Sequence, residues 1–405
     1  MKKIVSCLIV AAFALATPAL FAQDTLRPEV AKPAQAGLDL LKAGKFAEAL
    51  AKVTEAEAVP NRTPYENFVL DQIRGSAAAG SGDSATAIRS YEAALAAQRM
   101  PPAEALPIME GLAGAAYKLK DYERTVTWAR RYYAEGGTNP QLRRLLATAL
   151  YQRFDWAGSA AELGRIVADD EAANRRPGED LLRLLGSSQA KQNEMAGYRL
   201  TLEKLLRWYP KPAYWRDRVG QLQRDPAFDP ALLVDSYRLL FATGSFDSTN
   251  EYVASAELAL RANLPTEAQK LVDAGYAAGK LGSGADAAAH DELRQRASRG
   301  AADDAKEFDK NLPPSPGASA NVLVSQGLAL ATAGRTERGV ALIEQGLAKG
   351  GGQQPDAARL RLGWVLATAG RAEPARAVFK DLQAKGGSIG ELARLWLIQL
   401  DKPAS

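Results

Sequence analysis

One phrase recurs along this chain about every 34 to 39 residues: a small residue, a short polar corner, a second small residue, and an apolar or small residue seven positions on. Gly37…Gly44-Lys45-Phe46…Ala49…Ala56 is one copy, Gly75…Gly82-Asp83-Ser84…Ala87…Ala94 the next, and Gly363…Gly370-Arg371-Ala372…Ala375…Leu382 the last. A supersecondary unit repeated at this period cannot bury its apolar face alone and must stack on its neighbours, so the phrase points to a solenoid, an architecture that presents binding surface. Between the corners, runs such as 142–150 place apolar residues three and four apart, and alternating β-branched runs are nearly absent. The expected class is therefore all-α, from about Pro33 to Leu400.

The small residue early in each second helix sets the register: Ala49, Ala87, Thr125, Ser159, Tyr198, Ala268, Gly339 and Ala375. Two steps are doubled, which places one degenerate unit in 214–244 and another in the Ala-rich, charged stretch 284–310. About ten hairpins are expected, with 388–400 as a capping helix. Gly44, Gly82, Gly334 and Gly370 should end helices in the left-handed region. Large residues such as Leu40, Tyr91 and Phe379 should fill the space between hairpins. Pro313-Pro314-Ser315-Pro316-Gly317 cannot be helical and reads either as a hinge or as an ordinary long connection.

These positions resemble the tetratricopeptide repeat (TPR): Gly or Ala in the first helix, Ala opening the second, and another small residue seven later, with Thr125, Ser159 and Tyr198 as departures. The resemblance implies a right-handed α-solenoid of about ten TPR-like hairpins. A narrower one covers about 60 residues, from Tyr214-Trp215 through 237–244 and 250–260 to Leu264-Pro265 and Gly275. It is similar to periplasmic TPR proteins that accompany TonB/ExbB/ExbD energy-transducing systems.

Residues 1–22 read as a cleavable signal peptide: Lys2 and Lys3, an apolar run 4–15, Pro18, and Ala22 before the cleavage point. Cys7, the chain's single cysteine, would leave with it, so an exported, periplasmic product could form no disulfide. The segment 23–32 is read as a disordered leader, 33–282 as an N-terminal array, 283–317 as the degenerate unit and Pro-rich loop, and 318–405 as C-terminal hairpins and cap. No stretch after the leader is apolar enough to span a membrane. A formal charge of +4, to which Lys2 and Lys3 contribute two units, gives nucleic-acid binding little support.

Catalytic signatures are missing. His290 is the only histidine and is read as a surface residue, which excludes a two-histidine zinc motif. No phosphate-binding Gly-x-x-x-x-Gly-Lys-Ser/Thr loop occurs. Two acids suffice for glycan cleavage, but Asp169-Asp170-Glu171 and Asp303-Asp304 lie in polar segments where nothing is expected to raise a pKa. The aromatic run Trp208-Tyr209-Pro210…Tyr214-Trp215 is read as packing between hairpins. The chain is expected to be no enzyme, with no cofactor and no metal.

The TPR register lines the concave wall with first helices. It points Tyr117, Lys118, Arg144, Tyr151, Arg183 and Lys191 inward, together with Thr148, Gln152, Ser187, Trp215, Arg218, Asn250 and Asn321. Basic groups interleaved with tyrosines suit an extended or helical peptide of acidic character. The expected function is a scaffold that binds an envelope protein or peptide segment, beside a TonB/ExbB/ExbD-type complex in the narrower reading. The alternatives are a chaperone-like binder of outer-membrane proteins and an accessory of cell-wall glycan metabolism.

Overall fold

The computed structural model describes residues 25–310 and 312–401, so the expected signal peptide lies outside the described residues. Among these there are helices, turns and no strand, as the apolar spacing predicts. The packing divides the chain after Tyr198 into two units.

The first unit holds α1 (Pro28–Lys42), α2 (Phe46–Glu57), α3 (Pro64–Ser81), α4 (Ser84–Ala96), α5 (Pro102–Lys118), α6 (Tyr122–Ala134), α7 (Pro140–Gln152), α8 (Trp156–Ala172) and α9 (Glu179–Lys191); α10 (Met195–Trp208) crosses the division. Helices α1 to α8 pair in sequence as hairpins, and each hairpin packs on the next. The corners explain why. Gly44 and Gly82 adopt positive φ, as expected, and stop their helices. Asp83, Asp121 and Asp155 then cap the following helix, accepting from the backbone N–H of Thr86 at 3.0 Å, Arg124 at 3.0 Å and Gly158 at 2.8 Å. Where glycine is missing, Lys120 and Phe154 take the left-handed place themselves.

Close packing accounts for the small residues. A methyl added at Gly75 would lie 2.5 Å from the buried Tyr91 ring, and one at Gly363 would lie 2.6 Å from Phe379. Ala49, Ala87 and Ala375 are fully buried at their crossings. Leu40, expected to fill a gap, is only half-buried.

The leader expectation needs correction: residues 28–32 belong to α1, and Val30 is fully buried against Ala34, Val53 and Phe68. Pro28 starts the helix because its fixed φ suits that position and its missing N–H costs nothing there. Arg27, just before it, grips the buried Glu66 through Nε and Nη2, both at 2.8 Å. Glu66 also closes a capping box with Thr63 at the start of α3. The hydrogen bonds from Arg27 hold its carboxyl down, from 4.5 to about 2. A carboxyl depressed in the folded state adds stability that is complete above its unfolded pKa and disappears as pH falls toward the folded one. Thermal melting should therefore weaken between pH 4.5 and about 2, and a Glu66→Gln variant should lose that part of the pH dependence.

The second unit continues with α11 (Pro212–Arg224), a 3-10 turn (Pro230–Leu232), α12 (Leu233–Ala242), α13 (Thr249–Arg261), α14 (Pro265–Ala277), α15 (Ala287–Asp309), α16 (Ala320–Thr332), α17 (Thr336–Ala348), α18 (Pro355–Thr368), α19 (Ala372–Gln383) and α20 (Gly387–Leu400). The weak unit at 214–244 is the α11–α12 pair, interrupted by the 3-10 turn. The other weak unit is a single 23-residue helix, α15, rather than a hairpin. No corner residue interrupts 287–309 except Gly300, which packs on Pro265 and stays helical. Between α16 and α17 the backbones meet directly, since a methyl at Gly327 would sit 2.6 Å from the Gly339 carbonyl oxygen.

Pro313–Gly317 is non-helical, as expected, and joins α15 to α16. The helices beyond it return to those at the start of this unit. Arg361 on α18 bonds Asp235 on α12 at 3.1 Å, Arg394 on α20 bonds Glu203 on α10 at 2.6 Å, and Ser388 Oγ accepts from the Asp229 N–H at 3.0 Å. Helix α20 caps α18 and α19, as expected, and one apolar core runs from Leu206 and Trp215 through Leu239 to Phe379 and Trp396.

Candidate functional site

The wall candidates fall on three first helices of the first unit, α5, α7 and α9. Tyr117 and Lys118 end α5; Arg144 and Tyr151 lie on α7; Arg183 and Lys191 lie on α9. Residues of α7 and α9 meet. Arg144 Nη2 donates to Asp180 Oδ2 at 3.0 Å, and the Tyr151 hydroxyl hydrogen-bonds Ser187 Oγ at 2.8 Å. Both pairs are 36 positions apart, one repeat, so equivalent places in neighbouring units are tied together. Thr148 spends its hydroxyl on the Arg144 carbonyl of its own helix. Tyr117 turns instead to Tyr122, edge to face with centroids 5.7 Å apart, and burial, then Tyr122, pushes its phenol up.

The α7–α8 corner adds what the register did not indicate. The Tyr151 ring packs edge-on against Trp156 at 4.8 Å, Phe154 meets the same indole at 5.4 Å, and Lys191 Nζ lies 4.9 Å from the Trp156 ring centroid. Phe154 is 75% exposed, in the left-handed place that glycine fills elsewhere. An apolar residue in a corner position was the available signal. Arg144 is balanced by Asp180, while Lys118, Arg183 and Lys191 are exposed and carry no ion pair among the described residues. The α7–α9 stretch thus combines packed aromatics with cations that form no ion pair among the described residues.

Three readings need correction. Trp215 and Arg218 do not line a groove: both are fully buried on α11, where Arg218 bonds Glu203 at 3.3 Å and also Glu391. Glu391 of α20 reaches Arg218 and Trp215 joins the apolar core of this unit, which nothing near them in sequence announces. His290 is buried, its Nδ1 accepting from the Gly282 N–H at 3.3 Å. Asp304 does not titrate normally: burial, then neighbouring Asp303, raises its carboxyl. Asn250 and Asn321 are exposed, and Asn321 Oδ1 accepts from the Gln353 N–H at 3.1 Å.

Among the described residues no cluster of three or more His, Cys, Asp or Glu side chains could hold a metal, and no helix is long and apolar enough to cross a membrane.

Stacked helical hairpins with small residues at their crossings define an all-α, TPR-like helical-repeat protein. Residues 74–140 and 324–388 match the family model for the tetratricopeptide repeat. The TPR2AB-domain:pHSP90 complex of yeast Sti1 is similar at 16% identity, over 66% of this chain and 98% of that one, with a TM-score of 0.34. A tetratricopeptide repeat protein from Parabacteroides merdae is 12% identical over 84% and 99%, TM-score 0.33, and yeast Tom70 is 12% identical over 92% and 95%, TM-score 0.25. No curated protein matches the chain. TPR domains generally bind peptide or protein partners and typically serve as non-catalytic scaffolds.

Proposed function

We propose that the protein is a non-catalytic periplasmic scaffold that holds a segment of an envelope protein along the α7–α9 wall. The observation that carries this reading is the pairing of an aromatic corner, in which Phe154 is exposed over half-buried Tyr151 and Trp156, with cations that no acid balances (Arg183, Lys191). Tyr, Trp and Arg give large contact area with directional bonds, and an acidic segment would complete the charge. The export reading of residues 1–22 supports the periplasm, and the likeness of 214–275 to TonB-associated repeat proteins favours a TonB/ExbB/ExbD-type complex as the partner.

The test is an affinity capture from crosslinked envelope with the wild type and with the triple variant Arg144→Ala, Tyr151→Ala, Arg183→Ala. Wild type should retain one dominant partner, and the variant should bind it about tenfold more weakly or worse while keeping its helical circular dichroism. Unchanged capture by a folded triple variant would overturn the wall assignment. A spread of unfolded outer-membrane proteins would replace the scaffold with a chaperone.

A further inference from the structure

The second unit holds a half-open pocket of about 410 Å³ between α12, α13, α14, α16, α17 and α18, within the range of small-ligand sites. Its walls are mainly apolar: Tyr237, Phe241, Leu271, Trp364 and Val365 face the space. Phe241 remains 37% exposed, unusual for a large apolar side chain against a core.

The charges at this cavity do not cancel. Glu267 holds Arg238 with both oxygens, at 2.8 and 2.7 Å, and Asp235 bonds Arg238 at 2.7 Å and Arg361 at 3.1 Å. Arg238 also lies 4.1 Å from the Trp364 centroid. Both acids are thus committed to the two arginines. Lys270, on the cavity wall, has no acid partner among the described residues; its ammonium makes one hydrogen bond, to the Thr332 carbonyl at 2.5 Å. An ammonium has three donors, so two stay available to a ligand.

We infer that this cavity binds a small amphipathic anion, its apolar body against Phe241, Leu271 and Trp364 and its carboxylate on Lys270. The ion cluster beneath is already neutral enough to keep a second cation or a second anion from being required. Two sources share this chemistry, a free aliphatic acid and the carboxylate end of an apolar peptide.

Trp364 reports occupancy by fluorescence. The whole chain should be titrated with decanoate, with decanol, and with a short apolar peptide bearing either a free or an amidated C-terminus. One carboxylate should bind about tenfold or more tightly than its uncharged counterpart. Lys270→Ala, a change at an exposed side chain, should remove that preference, and Thr368→Phe, which narrows the space without adding an indole, should weaken binding of every probe. Preference for decanoate assigns a free amphiphile, and preference for the free-ended peptide assigns a chain terminus. Equal binding of charged and uncharged probes, no binding of either carboxylate, or binding indifferent to both variants would overturn the inference.

Discussion

Replacing Arg238 with leucine should destabilise the second unit by about 3–5 kcal/mol, the usual cost of removing one partner from a buried ion cluster. Its guanidinium is almost wholly buried. Burial alone would lower its pKa, but Glu267 and Asp235 more than offset this and raise it. With leucine there, Glu267 would face an apolar surround with no counter-charge, and Asp235 would keep only Arg361. Urea unfolding followed by fluorescence of Trp215, Trp364 and Trp396 would measure the change. The double variant Arg238→Leu, Glu267→Leu, which leaves the Asp235–Arg361 pair in place, should recover much of the loss, because an uncompensated charge costs more than the pair contributes. A loss below about 1 kcal/mol for Arg238→Leu would mean the cluster is wet and behaves as a surface pair.

Phe379→Ala should cost a similar about 3–5 kcal/mol, from lost transfer energy and the hole left behind. The ring is fully buried, stacks on Trp396 at 5.8 Å with 5° between planes, and lies over Gly363. Gly363 is where a side chain could refill the hole. Gly363→Leu alone should overpack against the ring, and combined with Phe379→Ala it should recover part of the loss. A double-mutant cycle on urea midpoints reads the coupling; strict additivity would show that the two positions do not share one space.

The helices were legible in the sequence because their cause is local. Apolar spacing, the glycines at 44, 82, 334 and 370, and small residues at crossings act within one hairpin and its neighbour. The leader was misplaced because the helical region was begun at Pro33, which in fact lies inside α1, while Pro28 opens the helix. Corners at Lys120, Phe154, Asn193 and Asn263 were hidden, since a left-handed residue other than glycine leaves only a weak mark. That Tyr117, Arg144 and Arg183 fall on the first helices α5, α7 and α9 followed from register, but the Tyr151–Trp156–Lys191 stack depends on how a corner turns. The cavity was invisible: Asp235 and Arg361 are 126 positions apart, and no period links them.

The return of α18 and α20 onto α10–α12 changes what kind of polymer the second unit is. In a linear repeat array each module contacts only those beside it, so melting can begin at an end and travel inward. Here Glu203 and Asp235, near the start of the unit, are bonded to Arg394 and Arg361, near its finish. Neither end can fray without releasing the other. The first unit, built on neighbour contacts, can shed its terminal hairpin alone; the second must open as one cooperative block, with loop closure across most of its length forming a slow step in its assembly.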